Sequence, residues 1–147
     1  MVETKEITWR RWRPGPAAVA DAEVVVSMTD YTPYRWGDLP RIFWDATMLA
    51  RGWPSMPGAV GVWLWSKPMQ RRSGSVSVWR SPEDLREFVG SPLHVVIMRR
   101  NRGRGFLRST TWTGPSMPVS VLWRRAADWL AEAERPGDRV TGGAHHG

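Results

Sequence analysis

The 147-residue chain has no cysteine, only three histidines, and only two lysines, Lys5 and Lys67. Without cysteine there are no disulfides, thiolate metal sites or cysteine nucleophiles. That suits a reducing compartment, and a cytoplasmic protein is the expectation. No apolar run nears the roughly 18 residues that suggest a membrane span. Met1 to Arg13 also lacks the apolar stretch of a signal peptide. Walker, dinucleotide-binding and His-Glu-x-x-His patterns are missing. Nothing therefore points to nicotinamide, flavin or a protein-only metal site. His145 and His146 stand in a small, polar C-terminal stretch and read as tail residues rather than metal ligands.

What is present in excess is positive charge and tryptophan. The formal charge is +7 and the pI about 11.1. Most basic residues are scattered arginines, which weakens a nucleic-acid reading, but Arg99, Arg100, Arg102, Arg104 and Arg108 are concentrated. Three readings of that group stay open: a polyanion-binding surface, cations completing a helix end, or one arginine turned inward onto a substrate anion. Eleven tryptophans is far above ordinary usage. Each brings a large apolar area and one N–H donor, which suits core, interface and ligand pocket alike.

Periodicity divides the chain into an arm (1–20), one α+β domain (21–134) and a disordered tail (135–147). Strands are expected at 23–28, 59–66, 75–80 and 106–113. Helices are expected at about 39–51 with Asp38 as N-cap, from Ser81 to Val89, at 93–101, and at 119–133. The order β-α-β-β-α-β with a final helix is the ferredoxin-like split βαβ pattern. It implies a four-stranded antiparallel sheet with helices on one face. The second strand is apolar on both faces, so the open face needs a cover. A second copy packing sheet to sheet is the economical one, and a homodimer is expected.

The stretch Ser77-Val-Trp-Arg-Ser-Pro-Glu-Asp-Leu-Arg-Glu-Phe88, followed by Ser91-Pro92-Leu93-His94 and Met98-Arg99, resembles the dimeric α+β barrel superfamily. The nearest resemblance is to antibiotic-biosynthesis-monooxygenase-like and spheroidene-monooxygenase-like proteins, and Met56-Pro57-Gly58-Ala59-Val60-Gly61 matches their Pro-Gly turn and strand. The resemblance implies a small-molecule enzyme of secondary metabolism, either a monooxygenase or a related cyclase or isomerase. Cofactor-free members hold a polyphenol with Trp, Asn and Arg while oxygen attacks its carbanion. Haem-degrading members carry a histidine where this chain has Phe88 and Val89, which argues against that chemistry. His94 matches a later histidine for which haem has been proposed, so no cofactor is expected first and haem through His94 second.

His94 is the one histidine outside the tail and reads as a proton acceptor, a haem ligand or a structural residue. Asp30, Tyr31 and Asp45 could also reach a cavity. Trp63, Trp65 and Trp79 are expected on one face of neighbouring strands as an aromatic wall, or else as dimer packing. Arg108, Thr110 and Trp112 on the last strand would continue that wall, with Arg108 stabilising an anionic intermediate or standing in solvent. A ligand-binding protein without catalysis, and nucleic-acid binding through the 99–108 arginines, are the alternatives.

Overall fold

A computed structural model describes residues 7–17 and 23–132. The tail and its histidines lie outside them. The chain runs β1 (Thr8–Trp9), β2 (Arg13–Pro14), β3 (Glu23–Pro33), α1 (Leu39–Arg51), β4 (Ala59–Lys67), β5 (Arg72–Trp79), α2 (Pro82–Val89), α3 (Pro92–Asn101), β6 (Gly105–Pro115) and α4 (Val119–Glu132). The four long strands stand in the order β4-β5-β3-β6, all antiparallel neighbours. This is the ferredoxin-like order, with β5 inserted between the strands that α1 connects. The N-terminal arm is more regular than expected, because β1 and β2 both pair with the outer edge of β4.

Local chemistry accounts for most boundaries. Ser81 caps α2, its Oγ accepting the Asp84 N–H at 3.2 Å, with Pro82 in the first turn. Asp38 does not cap α1. It sits in a 3₁₀ turn, Trp36–Asp38, in right-handed helical conformation, and its carboxylate instead pairs with Arg41 at 3.2 Å. Pro40 in the first turn lacks one of the N–H groups a cap would satisfy.

The ferredoxin-like core keeps its helices α1, α2 and α3 on one face. The opposite face, formed by Val24, Val26, Met28, Val76, Val78, Trp63 and Trp65, is covered by α4 through Leu122, Ala126, Ala127 and Leu130. Trp9 and Trp12 of the arm pack against the same layer, their rings 5.5 and 4.8 Å from Trp63. The cover expected from a second copy is supplied on this face within the chain, by α4 and the arm.

A buried charged cluster fixes α4 there. Asp30 accepts from Arg72 Nε at 3.2 Å and Nη2 at 2.7 Å, and Arg108 Nη2 lies 3.5 Å from the same carboxylate. Arg72 also donates to the Leu130 carbonyl, and Arg108 to that of Trp129, both at 2.8 Å. Two cations thus satisfy carbonyls at the C-terminal end of a helix, where helix geometry leaves acceptors without partners.

Candidate active site

In an antiparallel ladder, directly paired residues share a face. On the face beneath α1–α3 the register therefore lays out rows across β5, β3 and β6. They read Trp79–Val25–Thr113, Ser77–Ser27–Thr111, Ser75–Thr29–Ser109 and Ser73–Tyr31–Leu107. The middle of this face is a field of hydroxyls, where a helix-covered sheet would ordinarily be aliphatic. Ser73 and Ser77 are buried, Ser27, Thr29, Ser75 and Ser109 are half-buried, and Thr111 is exposed, so the field opens toward β6. Thr29 Oγ1 and Ser75 Oγ bond each other at 3.1 Å, while Ser73 Oγ is buried without a partner.

The expected inner stripe of α1 is not sealed above this field. Ala50 is buried, but Ile42, Phe43, Ala46 and Leu49 are only half-buried. Half-buried apolar side chains of α1 and half-buried hydroxyls of the sheet thus both stay partly open on the helix side, which makes the space between them the candidate cleft. One end is aromatic: Trp53, Trp79 and Phe88 meet at ring distances of 4.7–5.5 Å, and Trp79 Nε1 donates to Ser77 Oγ at 3.0 Å. His94 joins them edge-on to Phe88 at 4.9 Å. The other end is polar. Tyr31 donates to the Asn101 carbonyl at 3.0 Å, and buried Asp45 accepts from Arg100 at 3.0 Å, tying α1 to α3. Burial of the Tyr31 phenol, with Asp38 nearby, holds its pKa above the ordinary value.

Burial pulls the His94 imidazole below its usual 6.5, and the Val89 carbonyl, close by but outside hydrogen-bonding geometry, partly opposes this. Its Nδ1 is enclosed and unpartnered. A neutral imidazole accepts a proton at a ring nitrogen that carries none, and with Nδ1 enclosed that role toward a ligand falls to Nε2.

The structure separates the residues the sequence grouped. Trp79 and His94 lie on the helix side, Trp79 fully buried against Trp53 and Phe88 and His94 half-buried beside Phe88. Trp63 and Trp65 lie on the opposite face, because Trp63 pairs with Val76 and Trp65 with Gly74. The expected three-tryptophan wall does not form. Trp112 also turns to the α4 side, beneath the Arg125 guanidinium at 4.8 Å. Arg108 is neither in solvent nor in the cleft, since its guanidinium lies 3.8 Å from the Trp129 ring centre beside Asp30. Trp63 and Trp65 are core, and Trp112 and Arg108 pack against it half-buried. The cavity recorded on their face, between Trp12, Val26, Val60, Val78, Met117 and Leu122, holds about 40 Å³. A small-molecule pocket needs roughly 300 Å³ or more. The hydroxyls of the cleft were the residues sequence reasoning missed. Their signal was the alternation Ser73-x-Ser75-x-Ser77 and Ser27-x-Thr29.

Of the two His94 ring nitrogens, only Nε2 is left to meet a ligand such as haem iron. Nδ1 is enclosed and the Phe88 ring is packed against the imidazole, so axial ligation of a haem would fall to Nε2. Among the described residues no three His, Cys, Asp or Glu side chains are grouped to hold a metal ion. No described helix is long and apolar enough to cross a membrane.

No protein-family model matches the chain, and no curated protein matches it. Solved structures do. SnoaB, a cofactor-independent oxygenase from Streptomyces nogalater, superposes with a TM-score of 0.50 at 17% identity, over 68% of this chain and 99% of SnoaB. A monooxygenase-like protein from Listeria innocua gives 0.53 at 18% identity, over 76% of this chain, which spans 65% of that protein's length. Protein SO0527 from Shewanella oneidensis gives 0.57 at 10% identity, over 73% of this chain and all of that one. What is shared at these identities is the fold. That fold is ferredoxin-like.

Proposed function

We propose that the chain is a small-molecule enzyme of secondary metabolism, of the oxygenase-like kind, acting on a hydroxylated aromatic in the cleft between α1 and the sheet. The observation that carries this is the field of Ser and Thr hydroxyls in a place where packing alone calls for aliphatic side chains. Such a floor offers donors and acceptors to phenolic oxygens, while Phe43 and Leu49 supply apolar contact to the ring. His94, neutral near pH 7, accepts a phenolic proton. The resulting phenolate is the electron-rich species that dioxygen oxidises. The name of SnoaB, a cofactor-independent oxygenase, supports this reading by fold likeness.

The test is dioxygen uptake with a series of hydroquinones and polyhydroxylated polycyclic aromatics, in the presence of a chelator. Uptake lost in His94→Ala supports the proposal. Calorimetric binding without uptake would make the chain a ligand-binding protein of the same fold. Neither binding nor uptake with any compound overturns both.

A further inference from the structure

The fold gathers positive charge that the sequence leaves scattered. Three loops meet at the end of the sheet where Tyr31 pairs with Ser73, Pro33 with Gly105 and Lys67 with Arg72. They are residues 34–38, 68–71 and 102–104. Contacts make them one surface: the Tyr34 N–H donates to the Arg104 carbonyl at 2.9 Å, and the Arg71 guanidinium lies 5.4 Å from the Trp36 ring centre. Arg71 adopts a left-handed backbone, φ 56°, that turns the hairpin at this point. The end of α3 adds Arg99.

Two features distinguish this surface from an ordinary solvated one. The described carboxylates at this end are already engaged, Asp38 with Arg41, Asp45 with Arg100 and Asp30 with Arg72, and among the described residues none lies within ion-pair distance of Arg35, Arg71, Arg99, Arg102 or Arg104. Two large rings stand in water among those cations, Tyr34 at 64% and Trp36 at 54% exposure. Exposed aromatic faces of this size mark interaction sites.

We propose that this surface binds single-stranded nucleic acid, with Arg35, Arg71, Arg99, Arg102 and Arg104 on phosphates and Tyr34 and Trp36 stacking on bases. The ligand must offer both a run of negative charges and flat π faces at short intervals. A single strand does so. A duplex shows its phosphates but hides its base faces, and an acidic peptide carries charge without faces. The surface is independent of the cleft's His94 end. It lies at the start of β5, whereas Trp79 and Phe88 lie at its far end, about 24 Å away at strand rise.

The test is fluorescence anisotropy of a labelled 12-nucleotide single strand with the full chain at 50–200 mM salt, beside the same sequence as duplex. The single strand binds more tightly than the duplex, with a log–log salt slope of about −3.5 if five phosphates are neutralised. Trp36→Ala weakens binding about ten-fold with the slope unchanged. Arg102→Ala with Arg104→Ala makes the slope shallower by about 1.4. Because these side chains are exposed, thermal melts stay at the parent value, and any dioxygen uptake is unaffected. Equal binding of single strand, duplex and heparin with no effect of Trp36→Ala, or no binding at 50 mM salt, overturns the proposal.

Discussion

Arg72 holds the Asp30 carboxylate with two N–H donors, at 3.2 and 2.7 Å, and both side chains are less than a tenth exposed. The same guanidinium reaches the Leu130 carbonyl, so the pair joins the middle of the sheet to the end of α4. Removing one member of such a pair strands a buried charge, and here Asp30→Ala strands two guanidiniums. We expect a loss of about 3–5 kcal/mol, read by urea denaturation. Cleavage within α4 should appear at low protease before the rest of the chain is cut.

His94 gives the fold a pH dependence. Burial lowers its pKa below 6.5 in the folded state, so at mildly acidic pH the unfolded chain binds more protons than the folded one. The stability associated with the neutral imidazole is intact above pH 6.5. It falls as pH drops below that value and is fully lost once pH passes below the lowered folded pKa. Denaturation midpoints measured from pH 8 to pH 5 should decline in the parent chain. In His94→Phe the His94 contribution to that decline should vanish.

Function and stability should part company at the cleft floor. Thr29 and Ser75 satisfy each other through their hydroxyls, and Thr29 Oγ1 also accepts the Ser75 N–H at 3.1 Å. Ser75→Ala removes one hydroxyl and leaves Thr29 Oγ1 in place as acceptor of the Ser75 N–H, a change of about 1 kcal/mol for folding. Hydroxylated aromatics should nevertheless bind at least ten-fold more weakly, measured by calorimetry. Unchanged affinity would remove the floor from the proposed site.

Gly61→Ala should detach the arm. A Cβ at this position runs into the Trp12 ring, which lies directly against the strand. Either the strand or the arm must yield, and the arm, held by two short ladders, a few further backbone bonds and the Trp9 and Trp12 rings, is the weaker of the two. A loss of about 1–3 kcal/mol is expected, with faster proteolysis between Trp12 and Ala17.

The sequence made the elements legible because each carried its own punctuation. Ser81-Pro82 opened α2, and the break at Gly52 and Pro54 closed α1 at Arg51 as read. The pairing between strands was not legible in the same way. Alternation within β4 correctly set Trp63 and Trp65 together, and alternation within β5 correctly opposed Trp79 to Val78. Which face of one strand meets which face of the next depends on the length of the hairpin. Four residues, 68–71, lie between the paired Lys67 and Arg72, so odd-numbered residues of β4 face the same way as even-numbered residues of β5. The sequence reading began β5 at Ser75 and left that length open, and Trp79 was assigned to the wrong side. Arg108 was misjudged for a related reason: its partner Asp30 is remote in sequence and meets it only through the β3–β6 register.

The short strands of the arm also make the sheet one-sided in how it can associate. Thr8–Trp9 and Arg13–Pro14 occupy much of the outer hydrogen-bonding edge of β4, a strand reading Ala-Val-Gly-Val-Trp-Leu-Trp. Pro14 has no N–H to offer a further strand. An uncovered apolar edge is a template for adding chains, and here the arm acts as a stopper on it. Loss of residues 7–17 would turn that edge into a growth point for fibrous assembly.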